Sequence, residues 1–196
     1  QVNMKYFLSE GHSQAPITAA IQLHPQVNFE DIESVTIHTY WFTWSEIGSE
    51  PEKWHPATRE AADHSLPYII SAVLIDGKFS DEIFSEERLR DERIHKLINK
   101  ISIEEDPEFT RRAPRSLPCR IEIVMKNGER KVANVEYPRG HVKNPMTDNE
   151  INTKFRGLVG RVLPEERVEL ALDRLWGLDT ATDFREIFEA VQIPEK

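Results

Sequence analysis

The stretch Arg59-Glu60-Ala61-Ala62-Asp63-His64-Ser65-Leu66-Pro67-Tyr68, continuing as Ile69-Ile70-Ser71-Ala72-Val73-Leu74-Ile75-Asp76-Gly77, organises the whole chain. Leu66, Ile69, Ile70, Val73 and Leu74 fall at i, i+3, i+4, i+7 and i+8, the spacing of a buried helical stripe. Gly77 is a natural stop, because glycine accepts the left-handed backbone at a helix end. A helix already running through His64 sets His64, Tyr68 and Ser71 on the face away from that stripe. Pro67, however, is comfortable only in a first turn, and a second reading starts the helix at Ser65 or Leu66, with His64 in the lead-in. On both readings, polar groups able to do acid–base work gather at one end of a well-anchored helix.

Upstream of this stretch, Ile17, Ala20 and Ile21 fit a short helix from Ser13 to Leu23, closed by His24-Pro25. Glu33 to Phe42 alternates Val35, Ile37, Thr39 and Trp41 against Thr36, His38 and Tyr40, which predicts a strand. Ile47 to Ala57 carries Gly48, Pro51 and Pro56 and reads as a loop. Downstream, Ser80 to Phe84 reads as a helical turn, Arg88 to Asn99 as a helix and Lys100 to Glu104 as a short strand. Pro107 to Pro118 reads as a basic loop in which Arg111, Arg112 and Arg115 are solvated. Arg120 to Lys126 and Arg130 to Tyr137 flank Asn127-Gly128, a dipeptide suited to a tight hairpin turn. A loop from Tyr137 to Pro145 carries Arg139, His141 and Lys143.

The character then changes. Thr147 and Glu150 have the spacing of a capping box, and Ile151, Phe155, Leu158, Val159 and Val162 form a helical stripe. Pro164 opens a second helix through Leu175, and Phe184, Ile187, Phe188 and Val191 mark a third. The expectation is an α+β domain over residues 1–146, with a hairpin-containing antiparallel sheet packed by helices, and an all-helical tail over residues 147–196.

The 196 residues suffice for a proper core, and 39% hydrophobic with 30% charged content describes an ordinary soluble protein. The net charge of -9 argues against a nucleic-acid binder and requires that any anion site be locally basic. The single cysteine, Cys119, excludes an internal disulfide framework and fits a reducing compartment. No apolar run reaches membrane-spanning length, and the start shows no signal or transit pattern, so a cytoplasmic protein without membrane partners is expected. The chain opens Gln1-Val2-Asn3 without an initiator methionine and is expected to be a piece of something longer. No His/Cys cluster has zinc spacing, one cysteine cannot hold an iron–sulfur cluster, and no phosphate-cradling glycine loop is present. Asp63-His64-Ser65 are sequence neighbours, whereas a catalytic triad is a spatial arrangement.

Several motifs together resemble one family. They are Lys5-Tyr6-Phe7 with Gly11-His12-Ser13-Gln14, Lys53-Trp54-His55-Pro56-Ala57-Thr58-Arg59-Glu60, and Ala62-Asp63-His64-Ser65-Leu66-Pro67-Tyr68. Arg139-Gly140-His141 with Asn144-Pro145, and Asn152-Thr153-Lys154-Phe155, complete the set. In this order they resemble the MmgE/PrpD family, which includes 2-methylcitrate dehydratase and cis-aconitate decarboxylase; Ala61 stands where that family often has threonine. The resemblance implies a small α+β lid followed by helices that return to a large helical domain absent from this chain.

It also implies roles for residues. Lys5 alone reads as a solvated charge; the resemblance turns it toward substrate carboxylates as a catalytic group, a task suited to a hydrated point charge with rotatable donors. Tyr68 alone reads as a partly buried aromatic with a satisfied hydroxyl; the resemblance sets it at the mouth of the site, able to bond a carboxylate or relay a proton. His64 reads equally as a substrate-binding imidazole or as a helix-start histidine bonded to backbone. The turn at His12 reads as an anion-binding turn or simply as a helix cap. Arg139, with Gly140 allowing close approach and His141 beside it, reads as a carboxylate clamp or a surface loop.

The activity so implied is cofactor-independent and metal-free elimination of water from a hydroxy tricarboxylate, with histidine and aspartate contributed by the missing helical domain or subunit. Decarboxylation of cis-aconitate and epimerisation of a related acid are the alternatives within the family. Acting alone, the chain is expected to be an inactive acid-binding or interaction module. A homodimer is implied for the complete protein, and the tail, around Phe155, Leu158, Leu172 and Phe188, is expected to dock on missing helices.

Overall fold

The computed structural model describes residues 3–193, so the opening Gln1-Val2 lies outside the described residues. The chain divides between Pro145 and Met146 into two compact units. In the first, the order of elements is α1 (Gln14–Leu23), β1 (Ile32–Thr39), α2 (Trp41–Ile47), α3 (Arg59–Asp63), α4 (Leu66–Asp76), α5 (Glu86–Leu89), α6 (Glu92–Ile98), β2 (Ile101–Glu105), α7 (Pro107–Arg112), β3 (Cys119–Met125) and β4 (Arg130–Val135). This is an α+β fold.

The four strands form one sheet in the order β2-β1-β3-β4. It is mixed rather than purely antiparallel: β1 pairs parallel to β2, Val35 opposite Ile101, and antiparallel to β3, Thr39 opposite Cys119. The hairpin β3–β4 turns at Asn127-Gly128 as the dipeptide predicts, with Gly128 at φ +84. One face carries Val35, Ile37, Ile121, Ile123, Ala133 and Val135 into the core. The other is polar, with His38 between Glu104 (3.5 Å) and Glu122 (3.7 Å). Helix α1 lies on β3 and β4, and α4 packs against both α1 and α6.

Ser65 settles the two readings of the organising stretch. Its side chain accepts the Tyr68 N–H and caps α4, with Pro67 in the first turn, so α3 ends at Asp63 and His64 lies between the helices. Gly77 closes α4 at φ +71, as expected of a left-handed stop. Yet α4 is not a half-buried stripe: every residue from Leu66 to Leu74 is buried, Tyr68 and Ser71 included.

Three local expectations are corrected. The strand ends at Thr39, not Phe42, because β2 stops at Glu105 and β3 starts at Cys119, leaving no ladder for residues 40–42. Trp41 instead opens α2, its N–H donating to Thr110 Oγ1 at 2.9 Å. Within the 107–118 loop lies a helix, α7, whose start is capped by Asp106 and set by Pro107. The 88–99 helix is two short ones, capped separately by Ser85 and Asp91.

The second unit is helical among its described residues: α8 (Asp148–Val159), α9 (Glu165–Trp176) and α10 (Arg185–Val191). Thr147 and Glu150 form the capping box reciprocally. Helix α9 packs on α10 and α8. Leu172 is buried, while Phe184 and Phe188 are exposed.

Candidate functional site

The site residues are organised by the segment from Met4 to Ser13, which has little regular structure but is fastened at several points. Met4 N–H donates to Gly140 O (2.9 Å), joining this segment to the 137–145 loop. Phe7 N–H donates to Gln14 Oε1 (2.9 Å), and the buried Ser13 hydroxyl donates to Glu10 O (2.7 Å) and pairs with the Ser9 hydroxyl (3.0 Å). Glu10 N–H donates to Asp63 Oδ1 (3.2 Å), fixing the segment against the end of α3. Burying Gln14 and Ser13 with these bonds made is what gives an otherwise irregular stretch one conformation.

The consequence is an open depression of about 280 Å3 lined by Lys5, Leu8, Ser9, Arg59, Glu60, Asp63 and Phe84. Two cations of different reach, one ammonium and one guanidinium, meet there. Arg59 lies 6.0 Å above the Phe84 ring and 3.8 Å from Asp81. His64 stands beside this depression, its Nδ1 3.9 Å from Asp63 and 3.2 Å from Glu60 O, its side chain half-exposed. Lys5 and His64 are thus brought to one neighbourhood. Arg59, Ser9 and Asp63 carried no assigned role in the sequence reading. Arg59 was visible there, as the only arginine in the run from Lys53 to Glu60.

The other predicted residues lie elsewhere. Tyr68 is not at a mouth: it is fully buried, and its hydroxyl donates to Ile83 O at 2.5 Å. Burial holds its phenol far above the ordinary range, only partly offset by Arg88. Helix α4 is enclosed by α1, α6 and the turn at Ile83, so a residue one position past its first proline necessarily points inward.

His141 is likewise buried, 1% exposed, rather than presented to solvent. Its Nδ1 accepts the Lys143 N–H (3.1 Å), and its ring lies 4.9 Å from that of Tyr137. Its Nε2 has no hydrogen-bond partner among the described residues. Burial, and then the Lys143 charge, push its pKa below the usual histidine value. Arg139 Nη1 donates to Asn144 Oδ1 (2.8 Å), bracing the loop whose turn needs Gly140 at φ +90.

At His12 the cap reading holds. The His12 N–H is taken by Glu10 Oε2 at 2.6 Å, so an internal carboxylate already fills the anion position of that turn. The ring points away from Lys5's depression toward a second cavity, with Nδ1 2.7 Å from the Tyr40 hydroxyl and its plane stacked on Phe42. Among the described residues no group of three or more His, Cys, Asp and Glu could hold a metal ion, and no helix is long and apolar enough to cross a membrane.

The sequence matches the MmgE/PrpD C-terminal domain over residues 7–178. Cis-aconitate decarboxylase of Aspergillus terreus is 28% identical over 204 residues, covering 100% of this chain and 41% of that protein. The 2-methylcitrate dehydratase of Salmonella typhimurium is 30% identical over 179 residues, covering 85% of this chain and 36% of that protein. The Escherichia coli K12 enzyme of the same name is 30% identical over 183 residues, 86% of this chain and 37% of its own. This chain therefore spans between 36% and 41% of the length of these relatives. With the match running from Phe7, two residues past Lys5, to Leu178, just beyond α9, the chain belongs to the MmgE/PrpD family, as its C-terminal domain.

Proposed function

We propose that this chain is the substrate-capping portion of a cofactor-independent lyase that eliminates water from a hydroxy tricarboxylate similar to 2-methylcitrate. The observation that carries this reading is the meeting of Lys5 and Arg59 in one depression on a chain whose net charge is -9. Glu60 and Asp63 line the same depression, and Lys5 and Arg59 are the groups in it that pair with the carboxylates of an acid. In the reaction, a base takes the proton from the carbon next to a carboxylate. The C–H electron pair forms the alkene, the C–O bond breaks, and hydroxide leaves as water after protonation. The base and acid belong, on this reading, to the part of the protein outside this chain. Lys5 and Arg59 hold the carboxylates and stabilise negative charge as it develops, and His64 borders the same opening. Tyr68 serves from the core by holding α4 in place.

The names of the relatives divide between dehydration and decarboxylation, and decarboxylation of cis-aconitate uses the same carboxylate grip. The family resemblance further suggests a homodimer in the cytoplasm, a compartment in which the buried thiol of Cys119 stays reduced. The test is a dehydration assay on the complete protein with 2-methylcitrate and no added metal, following the absorbance of the alkene. Lys5→Ala is expected to lower kcat/KM by about a hundredfold or more. A folded, complete protein without turnover refutes dehydration and makes cis-aconitate the next substrate; turnover untouched by Lys5→Ala removes Lys5 from the site.

A further inference from the structure

Lys5 belongs to a stretch with little regular structure, yet its backbone is held on both sides. On one side Phe7 N–H donates to Gln14 Oε1 at 2.9 Å; on the other Met4 N–H donates to Gly140 O at 2.9 Å. The first anchor is a buried side chain at the start of α1. The second is a carbonyl in the 137–145 loop, so the place from which the Lys5 side chain departs depends on what fixes that carbonyl.

The peptide unit joining Gly140 to His141 is held at both ends: its C=O takes the Met4 N–H, and its N–H donates to Pro138 O at 3.0 Å. Bonds across the loop keep Gly140 at φ +90, with Gly140 N–H donating to Asn144 O (2.9 Å) and Asn144 N–H to His141 O (2.7 Å). His141 adds a bond that only an unprotonated ring nitrogen gives, since its Nδ1 accepts the N–H of Lys143, two residues on, at 3.1 Å. This is the arrangement of an Asx turn, with an imidazole nitrogen in place of a side-chain oxygen. It fixes the neutral ring with its proton on Nε2. The ring is 1% exposed and packs 4.9 Å from that of Tyr137, so swinging it away displaces packed neighbours. His141 does not line the depression that Lys5 lines.

We propose that His141 is the positioning residue for Lys5. Its neutral Nδ1 shapes the turn, the turn aims Gly140 C=O at Met4 N–H, and that bond sets where the next side chain enters the depression beside Arg59. The part Lys5 plays toward a carboxylate rests on the lyase reading above; the anchoring of its backbone does not.

Variants of the complete protein separate the possibilities. Asparagine puts an oxygen where Nδ1 stands, glutamine carries its amide one carbon farther out, and leucine offers no acceptor. With 2-methylcitrate, His141→Leu is expected to lower kcat/KM about tenfold, chiefly by raising KM, and His141→Asn to return it to within about threefold of wild type. Loss of folded enzyme would lower kcat instead. In a Lys5→Ala background the leucine substitution costs less than about twofold, because the group it displaces is already gone. A full-sized loss in that background, a fall in kcat alone, or an asparagine variant no better than leucine overturns the inference. Should His141→Leu not fold, His141→Gln takes its place in each comparison.

Hydrogen exchange at the Met4 amide reads the anchor without any turnover. It quickens about tenfold in His141→Leu or His141→Gln and stays near wild type in His141→Asn. Unchanged exchange in the first two overturns the inference. Quickened exchange in a protein that turns over neither 2-methylcitrate nor cis-aconitate supports the anchor and refutes the lyase reading alone.

Discussion

Replacing Tyr68 by phenylalanine separates a structural role from a chemical one with a single oxygen atom. The substitution keeps the ring and its stacking on Phe84 at 6.5 Å, and removes only the hydroxyl that donates to Ile83 O at 2.5 Å. Both groups are enclosed, so water does not replace the lost donor and the Ile83 carbonyl is stranded. A net hydrogen bond is worth about 1 kcal/mol, and a stranded buried acceptor brings the loss to about 2 kcal/mol. For a unit of this size that lowers the melting temperature by about 6 °C. The assay pairs urea and thermal denaturation with turnover of the complete protein well below both melting points. The expected result is a lower midpoint with kcat/KM within about twofold of wild type. An unchanged midpoint with collapsed turnover would refute the reasoning, and would return the phenol to the chemistry.

Two further outcomes follow from the same geometry. Gly77→Ala forces an L residue to φ +71 and drives its Cβ to 2.4 Å from the ring of His24, whose Nδ1 bonds Leu74 O; denaturation should show a loss of about 2–4 kcal/mol, partly recovered when His24 is also shortened to alanine. His141 has a folded-state pKa below its unfolded value of ~6.5, so the unfolded chain binds more protons in the interval between them. Its contribution is therefore complete above pH ~6.5 and is lost as pH falls through the lowered folded value; a urea midpoint that falls less steeply between neutral and mildly acidic pH in His141→Gln is expected, and equal slopes refute it.

What the sequence made legible was local. Gly77, Asn127-Gly128, and the Thr147/Glu150 pair each act through their own backbone, and each does in the structure what its chemistry predicts. Ser65 and Pro67 together placed the start of α4, once the cap was weighed against the longer helix. Residues 40–42 misled because a strand lasts only as long as its partners do. Their alternation continues, but the neighbouring strands lie 62 or more residues away in the chain and end first. The short helix at Pro107 was written in Asp106-Pro107-Glu108, a cap followed by a favoured first residue, and was obscured by the arginines that follow. For the candidate site, Lys5 and His64 could be named from motifs. The full burial of Tyr68 could not, since the acceptor of its hydroxyl arrives from Ile83, fifteen residues along the chain.

The arrangement of β1 carries a consequence for how the chain is made. This central strand is finished at Thr39, but its parallel neighbour begins only at Ile101 and its antiparallel one at Cys119. A ribosome must therefore deliver some eighty further residues before β1 has both its partners, and α1 waits longer still for β4. Until then Val35 and Ile37 have nowhere to go but into α4 and α6, or into the wrong contacts. Nascent chains halted before Val135 should be protease-sensitive and sought by chaperones, with protection arriving abruptly as the last hairpin emerges.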